Sequence, residues 1–79
     1  MTFQINKVYK TKIGSPARIL WVDSPSFQRY NLNVKPKMYV LHNAFTAKEI
    51  VLQHNLDGTF PTLSDYDLTN EEYIQEFKN

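Results

Sequence analysis

Polar and apolar residues alternate most regularly from Gln28 to Val34, with Tyr30, Leu32 and Val34 on one side and Arg29, Asn31 and Asn33 on the other. A period of two predicts a half-exposed strand, and Lys35-Pro36 ends it. Earlier, Lys7 to Lys12 is β-prone and runs into the turn signal Gly14-Ser15-Pro16. Ala17 to Val22 is apolar on both faces apart from Arg18, the pattern of a central strand in which Trp21 takes a core position. Asp23-Ser24-Pro25-Ser26 breaks that strand.

Lys37 to His42 and Glu49 to Asn55 are expected to form the two arms of a hairpin around Asn43–Lys48. With paired numbers adding to about 92, Met38, Val40, His42, Ile50, Leu52 and His54 share one face. Asp57-Gly58 is a strong hairpin dipeptide, and Thr59-Phe60 before Pro61 makes a brief return strand.

The last residues change character. Thr69 followed by Glu72 has the spacing of a capping box, and Leu68 with Tyr73 fits a hydrophobic staple. Glu71 and Glu72 near its start and Lys78 near its end suit a helix dipole. These signals predict a helix over about 70–78, too short to persist unless it docks on the sheet. The expected fold is therefore mainly β: one domain over 1–79, with about five antiparallel strands between about 3 and 60. They form a meander or an SH3-like barrel, completed by one short C-terminal helix.

Composition narrows the function. Seventy-nine residues bury only about 60–65% of the unfolded surface, so stability is marginal and a partner or second copy would help. With no cysteine, disulfides, thiolate zinc sites and cysteine nucleophiles are excluded. No apolar run approaches the roughly 20 residues of a membrane span, and no signal-peptide pattern opens the chain. A soluble protein of the cytoplasm is expected.

Charge is split along the chain. Residues 1–48 carry Lys7, Lys10, Lys12, Arg18, Arg29, Lys35, Lys37 and Lys48 against the single acid Asp23. Residues 49–79 carry Glu49, Asp57, Asp65, Asp67, Glu71, Glu72 and Glu76 against Lys78 alone. If the fold separates the two groups, the molecule is polarised towards a charged partner. If it brings them together, they neutralise each other.

Two surfaces follow. The acidic residues Asp65, Asp67, Glu71, Glu72 and Glu76 are the candidate site for a protein partner. The cations Lys7, Lys10, Lys12, Arg18, Arg29, Lys35 and Lys37, interleaved with Tyr9, Trp21, Tyr30 and Tyr39, are the alternative, a small-barrel surface for nucleic acid or nucleotides. The bland reading makes the aromatics core and the lysines its solvated rim.

Catalytic and metal chemistry find little purchase. Asp65, Asp67 and Glu76 have the spacing of positions one, three and twelve in a calcium loop, but Asn70 stands where that loop needs glycine. His42 and His54 lack a third ligand and are expected at opposite ends of the hairpin, as hydrogen-bonded strand-end histidines. No Gly-rich phosphate loop and no nucleophile setting around Ser24 or Ser26 is present. A non-enzymatic protein without metal or cofactor is expected.

Taken in order, the motifs resemble a known group. Val8-Tyr9-Lys10-Thr11-Lys12-Ile13-Gly14-Ser15-Pro16-Ala17-Arg18-Ile19-Leu20 is similar to an opening, Y-x-T-R-x-G-x-x-A-R-I-L, of small uncharacterised proteins of tailed bacteriophages. Their later D-G-x-F and D-L elements correspond to Asp57-Gly58-Thr59-Phe60 and Asp67-Leu68, so the resemblance spans about two-thirds of the chain. Lys12 stands where arginine is usual, and His54 near where tryptophan is common. The resemblance implies a phage accessory protein that binds and inhibits a host protein, such as a defence factor, in the host cytoplasm. A self-assembling homodimer is a third possibility.

Overall fold

The structure, a computed structural model, describes residues 3–24 and 35–74. Five strands form one antiparallel sheet: β1 Val8–Thr11, β2 Pro16–Val22, β3 Met38–His42, β4 Ile50–His54 and β5 Leu68–Glu72. Their order across the sheet is β4-β3-β2-β1-β5, so β2 is central. The first four strands are a meander. The chain then crosses back to place β5 on the outer side of β1. Among the described residues the sheet is open, with β4 and β5 as its edges, and the barrel closure considered from sequence is not made.

Turn chemistry explains the connections. Gly14, at φ +88°, closes the β1–β2 turn by donating to the Thr11 carbonyl at 2.8 Å. Between β3 and β4, Thr46 Oγ1 donates to the Asn43 carbonyl at 2.7 Å, and Asn43 and Phe45 adopt positive φ. The β3–β4 register is the one expected: Met38 faces His54, Val40 faces Leu52 and His42 faces Ile50. The strand expected at Gln28–Val34 lies outside the described residues. Thr59-Phe60 makes no return strand. Asn55 N–H instead closes on the Thr59 carbonyl at 2.9 Å, and Phe60 N–H donates to Asp67 Oδ1 at 2.8 Å.

Alternate residues line the inner face. Tyr9, Ala17, Ile19, Met38, Val40 and Leu68 are buried there with Phe3, and Val22 and Leu56 pack against them. Each large side chain buried here stabilises the fold by about 1.5–3 kcal/mol. Residues 55–67 cover the far end of this face, with a 3-10 turn at Ser64–Tyr66.

The expected C-terminal helix is the main correction. Leu68–Glu72 is a strand, and residues 75–78 lie outside the described residues. The Thr69 hydroxyl does not cap a helix; it donates to the Lys10 carbonyl across the ladder at 2.9 Å. A helix this short gains little from local bonds. Pairing with β1 satisfies a row of backbone groups and buries Leu68, so the tertiary gain overrides the capping signal.

Trp21 is the second correction. It is 57% exposed rather than buried. The ladder shifts between Ile19, opposite Val40, and Trp21, opposite Tyr39, so Leu20 is an extra residue in β2. This bulge sends Leu20 and Trp21 outward and returns Val22 to the inner side beside Met38.

Candidate interaction surface

The outer face of the sheet can be assembled from the strand pairings. Residues directly opposite on neighbouring antiparallel strands share a face, with Cβ atoms about 4.5–5.5 Å apart. One row runs Gln53, Tyr39, Trp21, and the next runs Val51, Leu41, Arg18, Val8. Val51 is 51% exposed, and Tyr39, Leu41 and Val8 are half-buried. The Arg18 guanidinium lies over the Phe45 ring, 5.4 Å from its centroid, and Phe45 lies 6.3 Å from the Tyr73 ring. Trp, Tyr and Arg side chains grouped on apolar residues are the usual anchors of protein interfaces.

The charged residues fall differently from either sequence expectation. Because β5 pairs with β1, Lys7 meets Glu72 at 2.7 Å and Lys10 meets Glu71 at 3.1 Å. The Glu72 carboxylate raises the Lys7 pKa, first through the hydrogen bond and then through its charge. The basic first half and acidic second half are thus interleaved at this edge and partly neutralise each other. Asp65 is exposed in the 3-10 turn, whereas Asp67 is half-buried and accepts from Phe60 N–H. Lys37 donates to Asn55 Oδ1 at 2.9 Å, while Lys12 and Lys35 are exposed. Arg29 and Glu76 lie outside the described residues.

The histidines meet, which their register does not suggest. His42 and His54 sit at opposite ends of the β3–β4 ladder, yet their Nε2 atoms are 2.5 Å apart. The ring planes differ by only 11° with centroids 4.8 Å apart, an edge-to-edge approach in which each nitrogen points at the other. Both side chains lean along their strands to reach this contact. His54 Nδ1 faces the Gly58 carbonyl at 2.9 Å, so it carries the hydrogen. Its Nε2 must then accept from His42 Nε2–H. That leaves His42 Nδ1 as a buried lone pair with no partner among the described residues. Burial, and secondarily His54, pushes the His42 pKa down to about 4. Burial also lowers that of His54, against the opposing effects of the Gly58 carbonyl and Asp67.

Tyr66 and Phe60 close over the pair, with rings 5.2 Å from His42 and 5.3 Å from His54. At 1% and 0% exposure the imidazoles are closed off from solvent. His54 ties the 55–67 segment to the sheet through Gly58, whose carbonyl also accepts from Leu68 N–H at 2.9 Å. Among the described residues no three His, Cys, Asp or Glu side chains converge to hold a metal, and no helix is long and apolar enough to cross a membrane. A groove of about 310 Å³ between Lys35, Pro36, Asn55, Leu56 and Asp57 is open to solvent and does not enclose a ligand.

Sequence reasoning missed the outer face because it assigned Trp21 to the core. The signal was available in Ile19-Leu20-Trp21-Val22, where four apolar residues in a row leave one too many for simple alternation. Comparison with protein-family models, curated proteins and solved structures finds no match to this chain.

Proposed function

We propose that this chain is a non-enzymatic interaction module whose outer sheet face binds a protein partner. The single observation that carries the reading is Trp21, more than half exposed and directly beside Tyr39 on a rigid strand pair. An aromatic held open by a bulge gives up large apolar area on binding and little conformational entropy. Arg18, stacked on Phe45, adds a preoriented cation at the centre of the same face. The resemblance to phage accessory proteins supports a host protein as the partner and inhibition in the host cytoplasm as the outcome. The exposed acids, Asp65 foremost, and the partly paired Glu71 and Glu72 would set orientation and association rate.

Nucleic acid is the weaker reading. Two of the seven candidate cations, Lys7 and Lys10, already hold carboxylates, and Arg18 lies over Phe45, so these three are not a free row for phosphates.

The test is capture from host lysate, with and without nuclease, by the wild type and by Trp21→Gln. The proposal expects one partner captured by the wild type under both conditions and reduced at least tenfold by Trp21→Gln. Capture abolished by nuclease, or unchanged by the substitution, would overturn it.

A further inference from the structure

The two edges of the sheet are built differently, and the difference points to self-association. We infer that β4 pairs antiparallel with β4 of a second copy, about a two-fold axis at Val51, to make one continuous sheet. This inference stands apart from the outer-face reading and does not depend on it.

An open edge presents unpaired N–H and C=O groups, which proteins blunt with charge, proline or bulges. β5 is blunted: Asn70, Glu71 and Glu72 are all exposed along it. β4 is not. Its run Ile50-Val51-Leu52 has no charge, proline or register shift, and Ile50 and Val51 are 53% and 51% exposed.

Three edge-to-edge pairings are open to two copies. Joining β5 to β5 about Glu71 or Glu72 sets like charges directly opposite each other, and about Asn70 it sets Glu72 against Leu68, so neither register is favourable. Joining β4 to β5 leaves free edges that propagate as a filament, and with Val51 opposite Glu71 it sets both glutamates against Ile50 and Val51. Joining β4 to β4 is self-complementary when Val51 faces Val51 of the second copy. Ile50 then meets Leu52, and Glu49 meets Gln53, so apolar faces apolar and polar faces polar in both halves. A shift of two residues either way sets Val51 against Glu49 or against Gln53. The arrangement also closes, because each copy uses the one edge left unblunted among the described residues.

The chain contains no cysteine, so single thiols report the register directly. At the two-fold, Val51→Cys places two sulfurs on directly opposed residues, within disulfide reach. Glu49→Cys and Gln53→Cys place each sulfur about 13 Å from its counterpart, four residues of strand rise away. Under mild oxidation Val51→Cys should give a covalent dimer, and the other two variants should not. Sedimentation of the wild type should show a monomer shifting to dimer up to about 1 mM, since a short edge alone makes a small interface. Val51→Lys should weaken that dimer at least tenfold while its circular dichroism stays unchanged. A wild type that stays monomeric throughout, a dimer indifferent to Val51→Lys, or crosslinking at 49 or 53 instead of 51 would overturn the pairing.

Discussion

The two faces of this sheet are made by alternate residues of the same strands, yet one is sealed and the other open. The inner face carries Ile19, Met38, Val40, His42 and His54, all essentially without solvent contact. The outer face carries Trp21, Tyr39, Leu41 and Val51, half-buried or open. What separates them is the cover: among the described residues, Phe3 and the 55–67 segment close on the inner side. In so small a domain the inner face has to carry most of the stability. The outer face is left open, and the bulge at Leu20 delivers the largest side chain to it.

The contrast breaks most severely where the cover is attached. Gly58 sits at φ +91°, and a Cβ there would lie 2.7 Å from the Phe3 ring and 3.3 Å from Leu68. Gly58→Ala is therefore expected to cost at least about 3 kcal/mol, from backbone strain and overpacking together. In urea denaturation it should leave the chain largely unfolded at 37 °C, and a midpoint near the wild type's would show that the cover is not seated as described.

Acid acts on the same face through the histidine pair. The folded pKa of His42, about 4, lies below the ordinary value of 6.5. Its contribution to stability is complete above pH 6.5 and is lost as pH falls towards 4. Between pH 7 and pH 5 this amounts to on the order of 2 kcal/mol, with His54 changing stability in the same direction. A urea midpoint that stays flat across that interval would mean the imidazoles are not buried neutral.

The smallest effect is expected at the β1–β5 edge. The Lys7–Glu72 pair is about half exposed, so Glu72→Gln should barely move the urea midpoint, and 0.5 M salt should erase the difference. A larger loss would make the ion pairs, rather than the backbone ladder and Leu68, the reason β5 is a strand.

Where local chemistry agreed with tertiary packing, the fold was legible in the sequence. The β3–β4 hairpin is the clearest case, because one-sided burial of Met38 and Val40 admits only one parity of pairing. The β1–β2 turn at Gly14 was legible for the same reason. Where local and long-range forces compete, the sequence misleads. Thr69 and Glu72 satisfy a helix cap in isolation, but the free edge of β1 offers more hydrogen bonds than one short helix could keep. The outer face was hidden by a single extra residue, Leu20, which changes the parity of β2 after Ile19. The His42–His54 contact depends on how far two side chains lean along their strands, which alternation alone does not encode. Of the candidate site, the charged residues were legible as residue types, but the pairing of Lys7 with Glu72 and Lys10 with Glu71 needed the crossover of β5.

The most direct test of the division between faces is equilibrium urea denaturation of Ile19→Ala and Trp21→Gln, two large side chains two residues apart in β2. Ile19 is fully buried, so its truncation should cost about 2–5 kcal/mol. Trp21→Gln should cost no more than about 1 kcal/mol, as expected of a mostly exposed side chain. A loss at Trp21 equal to that at Ile19 would return the tryptophan to the core and remove the surface on which the proposed function rests.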